Sequence, residues 1–213
     1  MHTDTIFFSG HTGQIECAID YPDTTPKGWA LCLHPHPLFK GTNTNKVITT
    51  LSRACVAHGL VTLRPNFRGV GQSAGEFDKA HGETLDMVTL IQQFLAQYPE
   101  FSHQPWILGG FSFGTAVAAQ LYAELQDHAI TLPQKLILMG VGVWRYAYRE
   151  VKLPEDVFIV HGEKDDVIPL VDAYEWLKDR EVPITVIPNA THFFHGKLVI
   201  LKHLLQQQLR LAI

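Results

Sequence analysis

Apolar residues along this chain follow two alternating rhythms, and the alternation predicts its elements. Thr5 to Ser9 and Gln14 to Tyr21 read as two strands joined by a turn at Gly10–Gly13, an opening hairpin. Trp29-Ala30-Leu31-Cys32-Leu33 is a short apolar strand that ends at the stiff His34-Pro35-His36-Pro37 loop. Val47, Ile48, Leu51, Ala54 and Cys55 then repeat at helical spacing, with Gly59 where a C-terminal cap belongs. The same change of period recurs along the rest of the chain. Leu60–Leu63 precedes a helix marked by Leu85, Val88, Ile91 and Leu95, and Trp106–Leu108 precedes one rich in Ala116, Ala118 and Ala119. Leu136–Met139 leads into an aromatic loop, and Val157–Val160 precedes a helix opened by Pro169. Ile184–Ile187 precedes a last helix carrying Leu198, Leu201, Leu205 and Leu209.

Strands apolar on both faces, each followed by a helix, predict an α/β architecture. Its sheet is mostly parallel and twisted, of about eight strands, with helices on both faces. No repeat, low-complexity tract or linker interrupts the pattern, so residues 1–213 are expected to form one domain. Ligands of such sheets bind at the carboxyl ends of the strands, which is where chemistry is to be sought.

Composition narrows the function classes. Apolar residues are 46% and charged ones 18% of the 213, the balance of a folded chain with a sizeable core. A net charge of −4 gives no electrostatic footprint for nucleic acid or an anionic membrane surface. Cys17, Cys32 and Cys55 lie in apolar runs without CxxC spacing and read as buried reduced thiols. Neither a signal-peptide pattern nor an apolar run of the roughly 18 to 20 residues a membrane helix needs is visible, so a cytoplasmic protein is expected.

Gly110-Phe111-Ser112-Phe113-Gly114 matches G-x-S-x-G, with an apolar strand before it and a helix after it, the context this nucleophile turn requires. A serine hydroxyl needs a base to take its proton and a carboxylate to orient that base, and in this motif they follow in the order Ser, Asp or Glu, His. Asp165 stands just past the strand ending at Val160, and His192 just past the strand ending at Ile187. Asp166 and Glu163 compete with Asp165, and His195 with His192; the first pair read otherwise as turn-makers or solvated acids, the last as a surface histidine. An oxyanion needs two backbone N–H donors. Phe113, after the nucleophile, is one candidate. The second belongs to the loop of residues 34–41, where Pro35 and Pro37 cannot donate and His36 is the candidate, with Leu38 in reserve. Trp144, Tyr146 and Tyr148 suit either a pocket wall or packing under a loop, and residues 140–151 are too few for a helical lid.

These residues make the chain resemble the small, lidless α/β-hydrolases related to dienelactone hydrolases. The resemblance runs from Gly13-Gln14-Ile15-Glu16 to Gly196-Lys197-Leu198. It is strongest at His34–Phe39, Asn66–Gly71, Gly110–Gly114, His161–Asp165 and His192–Lys197. It implies the α/β-hydrolase fold without a cap domain, Asp165 as the triad acid and His192 as the base. Dienelactone hydrolases proper carry a cysteine nucleophile where this chain has Ser112; Lys40-Gly41 replaces a common glycine pair, and Thr191 a common aspartate.

The expectation is therefore a serine hydrolase that cleaves small carboxylic esters or related acyl compounds, with a small-molecule acyl substrate and no cofactor or metal. Peptide, thioester and lactone bonds remain open to the same triad, and the pattern does not constrain oligomeric state. Two other readings compete. His34-x-His36 after a strand suits a metal-dependent barrel hydrolase, but such barrels run to about 250 residues and draw ligands from several strand ends. A non-catalytic binding protein on the same scaffold is the other.

Overall fold

The computed structural model describes residues 1–128 and 130–213. Eight strands form one sheet: β1 (His2–Gly10), β2 (Gly13–Tyr21), β3 (Gly28–Leu33), β4 (Leu60–Pro65), β5 (Trp106–Phe111), β6 (Lys135–Met139), β7 (Phe158–Gly162) and β8 (Thr185–Ile187). Their spatial order is β1-β2-β4-β3-β5-β6-β7-β8. The pairs β1–β2 and β2–β4 are antiparallel and all the others parallel. Among the described residues five α-helices accompany it: α1 (Lys46–Ala57), α2 (His81–Gln97), α3 (Phe113–Asp127), α4 (Leu170–Leu177) and α5 (Leu198–Ala212). This is the α/β-hydrolase architecture the pattern and the motifs led us to expect, with no cap inserted between β6 and β7.

Alternation along the strands builds two cores. Trp29, Leu31 and Leu33 of β3, Leu108 of β5 and Leu136 and Leu138 of β6 pack with α2, α3 and α4, through Met87, Phe94, Leu121 and Leu177. Ala30, Cys32, Ile107, Ile137 and Met139 point the other way, to Ile48 and Leu51 of α1 and Leu201, Leu205 and Leu209 of α5. Each of the buried Leu, Ile, Met and Phe side chains among them stabilises the fold by roughly 1.5–3 kcal/mol. At the amino ends of adjacent strands, Trp29 and Trp106 are register partners whose rings stack 4.3 Å apart at 1°. All three cysteines are buried and free. Among the described residues, no helix is long and apolar enough to cross a membrane.

β1 is longer than its apolar pattern suggests. His2 to Thr5 are exposed, yet they pair in register with Ala18 to Tyr21, so backbone ladder bonds and not burial extend the strand. A buried ion pair also escaped the pattern. Asp20 of β2 accepts from Arg64 Nε at 2.7 Å and Nη2 at 2.9 Å, from Thr3 Oγ1 at 2.7 Å, and from Ser52 Oγ of α1. Arg64 Nη1 donates to Asn43 O at 2.6 Å. Burial raises the Asp20 carboxyl pKa, but these donors outweigh it and hold the group below its usual range. With these partners the pair ties three strands, α1 and the loop before α1 together, and leaving either partner alone in the interior would cost several kcal/mol, about 3–5.

Candidate active site

The turn between β5 and α3 lifts Ser112 above the sheet. Its backbone sits at φ 56°, ψ −119°, a strained region for a residue with a side chain. The two flanking glycines permit it. A Cβ on Gly110 would stand 2.2 Å from Gly114 O, and one on Gly114 2.3 Å from Leu33 O and 2.7 Å from His34 O. The turn is fixed by Ser112 N–H donating to Met139 O at 2.9 Å and by Thr115 Oγ1 donating to Ser112 O at 2.6 Å.

Two neighbouring strand ends bring in the partners. His192, after β8, places Nε2 2.9 Å from Ser112 Oγ and Nδ1 2.7 Å from Asp165 Oδ2. Asp165, after β7, accepts on Oδ1 from Val167 N–H at 3.0 Å and Ile168 N–H at 2.7 Å. Burial raises the Asp165 pKa, but the hydrogen bond and charge of His192 and the Ile168 N–H outweigh it, so the carboxyl is held below its ordinary value. Ser112, Asp165 and His192 are all buried. Asp166, Glu163 and His195 are exposed. Glu163 instead accepts from Asn189 N–H at 2.8 Å.

A second histidine, which the sequence reading passed over, also reaches Asp165. His161 Nε2 lies 2.8 Å from Ile168 O and 3.3 Å from Asp165 Oδ2. Burial pushes its pKa down, against the opposing pull of Ile168 O and Asp165, and favours the neutral ring. Its place in His161-Gly162-Glu163-Lys164-Asp165, four residues before the acid, was the available signal.

The loop after β3 is braced by His34. Its Nδ1–H donates to Pro35 O at 2.6 Å and its Nε2 accepts from Phe67 N–H at 2.9 Å. Burial pushes its pKa down to about 3, against the Pro35 hydrogen bond, so the ring is neutral and both nitrogens are engaged. His34 therefore has no lone pair to offer a metal ion. Among the described residues no group of three His, Cys, Asp or Glu side chains is placed to hold one. Leu38 N–H, the reserve donor, is taken up by His36 Nδ1 at 3.2 Å. His36 and Phe113 N–H groups have no protein acceptor among the described residues, and both residues flank Ser112. Lys40, in place of a glycine, adopts the left-handed conformation at φ 62° that glycine adopts freely.

Two cavities meet at Ser112. One of about 360 Å³ is lined by Pro35, Phe39, Asn45, His192 and Phe193. One of about 80 Å³ lies across the serine against Phe113, Gly142, Arg145, Tyr146 and Ile168. Beyond it Tyr146 and Tyr148 wall an open groove of about 590 Å³. Trp144 packs on Trp176 instead, 5.6 Å between ring centroids, so the aromatic loop divides between pocket wall and core. A larger depression of about 700 Å³ between residues 150–155 and 179–182 is lined by charged and aliphatic side chains and holds no serine, cysteine or histidine.

No family model matches the chain. A lidless α/β serine hydrolase from Xanthomonas campestris is 31% identical, with a TM-score of 0.87 over 98% of this chain and 94% of that one. An α/β serine hydrolase homologue from Coxiella burnetii is 32% identical, with a TM-score of 0.84 over 98% of each. An uncharacterized protein from Rickettsia prowazekii is 29% identical over 199 residues, 90% of this chain and 82% of that protein.

Proposed function

Because the chain belongs to the lidless α/β serine hydrolases, we propose that it hydrolyses small carboxylic esters through an acyl-enzyme on Ser112. The observation that carries this reading is the unbroken line of hydrogen bonds from Ser112 Oγ through His192 to Asp165. Ser112 Oγ attacks the ester carbonyl while His192 Nε2 takes its proton. Asp165, ionised, holds the Nδ1–H and stabilises the imidazolium that forms. The carbonyl oxygen gathers negative charge facing the N–H of Phe113, at the positive end of the α3 dipole, and the N–H of His36. Collapse breaks the bond to the alcohol, whose oxygen takes the proton from His192. Water, deprotonated by the same base, then releases the acid and restores Ser112.

The same steps serve thioesters, lactones and peptides, so the scissile bond is set by comparison across a substrate panel. The decisive test is a fluorophosphonate probe followed by mapping of the labelled peptide. The wild-type chain is expected to label at Ser112, and Ser112→Ala to lose both labelling and ester hydrolysis by several orders of magnitude. A Ser112→Ala variant that hydrolyses esters at the wild-type rate defeats the proposal, and a chain that never labels returns the reading to a binding protein.

A further inference from the structure

The two cavities at Ser112 are not equivalent, and the chemistry of the leaving group tells them apart. In the proposed acylation, His192 Nε2 must deliver its proton to the departing alcohol oxygen as the carbon–oxygen bond breaks. The alcohol therefore lies on the side of Ser112 that His192 faces. His36, Phe39, Ser112 and Val167 line both cavities, but His192 and Phe193 line only the 360 Å³ one, and Phe113 and Tyr146 only the 80 Å³ one. The small cavity lies under Phe113, whose N–H is the oxyanion donor next to the nucleophile.

Volume then sets a size for each half. A methyl or methylene group takes about the share of a water molecule, about 30 Å³, so the small cavity holds about two or three carbons and the large one about a dozen non-hydrogen atoms. Between the small cavity and the 590 Å³ groove stand His36, Phe39, Arg145 and Tyr146, which line both, and of these Tyr146 is the ring held against Phe113. Its ring meets Phe113 edge-on at 5.0 Å and His36 at 5.4 Å. Its backbone is pinned from below. The buried Gln120 donates to Tyr146 O at 3.2 Å and accepts from Tyr148 N–H at 2.8 Å, and Tyr146 N–H donates to Val143 O at 3.2 Å. The wall is a ring whose backbone is held on both sides, at the residue that closes the 3-10 turn of Val143–Arg145.

We infer that the substrates are esters of short acids, about four carbons or fewer, with larger apolar alcohols, and that Tyr146 sets the acyl limit. The inference rests on the esterase reading above and narrows it to one orientation of the substrate. Two isomeric esters separate the two halves. Hexyl acetate and ethyl hexanoate share one formula and have leaving groups of similar reactivity, but place the long chain on opposite sides of the carbonyl. The wild-type enzyme is expected to favour hexyl acetate in kcat/KM by about tenfold or more, the scale on which apolar pockets reject surplus methylenes. Equal rates, or a preference for ethyl hexanoate, overturn the inference and leave the esterase reading standing. Hydrolysis of neither, with no fluorophosphonate labelling, overturns both. With 4-nitrophenyl esters of two to twelve acyl carbons, Tyr146→Ala is expected to raise the octanoate-to-butyrate ratio about tenfold by opening the cavity into the groove. Tyr146→Phe, which retains the ring, is expected to follow the wild-type profile. An unmoved ratio in Tyr146→Ala removes Tyr146 from the role.

Discussion

Replacing Asp165 by asparagine changes one atom and should disable the base without disturbing the fold. The structure fixes which way the new amide must face. Asp165 Oδ1 accepts from Val167 and Ile168 N–H at 3.0 and 2.7 Å, so the asparagine oxygen belongs there, and turning the amide round would aim its NH2 at two donors, of which Ile168 N–H is buried. Leaving the buried Ile168 N–H without an acceptor costs about 1–3 kcal/mol. The NH2 therefore replaces Oδ2, 2.7 Å from His192 Nδ1. Nδ1 must then accept, the ring proton moves to Nε2, and Nε2 meets the Ser112 hydroxyl as a donor, unable to take its proton. Loss of the base through the wrong tautomer lowers kcat by about four orders of magnitude in a serine triad, which is about 5 kcal/mol of transition-state stabilisation. The assay is kcat/KM for 4-nitrophenyl acetate at neutral pH, with circular dichroism to establish that the variant is folded. A folded Asp165→Asn enzyme that keeps a tenth or more of wild-type activity would refute the assignment of Asp165 as the orienting acid.

Two further outcomes follow from the loop and the turn around the site. His34 is neutral and buried with its pKa pushed down to about 3, whereas the unfolded chain binds a proton near the ordinary value of about 6.5. Its contribution to stability is full above pH 6.5 and is lost as the pH falls toward 3, by up to about 1.4 kcal/mol per unit. Urea unfolding of wild type and His34→Gln between pH 4 and 7 should therefore converge as the pH falls; parallel curves exclude this role. Gly114→Ala gains about 1 kcal/mol of helix propensity, but its Cβ would press on Leu33 O and His34 O at 2.3 and 2.7 Å. A net destabilisation of about 1–3 kcal/mol is expected, read as a lowered urea midpoint, with loss of ester turnover; unchanged midpoint and turnover contradict the steric account of the motif.

The parts of this molecule that depend on local period or local turn chemistry were legible in the sequence. Strands apolar on both faces and the G-x-S-x-G turn are statements about neighbours in the chain, and Asp165 and His192 were singled out as candidates because parallel strands end on one rim. Strand order was not legible, since the placing of β4 between β2 and β3 depends on contacts between distant segments. Nor was the Asp20–Arg64 pair, whose members are 44 residues apart and look individually like surface charges. His34 illustrates the same limit. Its residue type suggested a ligand, while its role as a brace follows only from Phe67 N–H and Pro35 O arriving on either side of the ring. Nor could the sequence show that Leu38 N–H is engaged by His36 Nδ1.

The stacked indoles of Trp29 and Trp106 bear on how this enzyme can be watched. They sit at the starts of the two strands whose far ends carry the His34–Gly41 loop and Ser112, and they are parallel to within 1°. Chromophores that close exchange excitation, and this pair's share of the optical signal, beside that of Trp144 and Trp176, changes when the strands slip or part. The molecule therefore carries a built-in gauge of the platform beneath its chemistry, readable without a label and remote from any substrate.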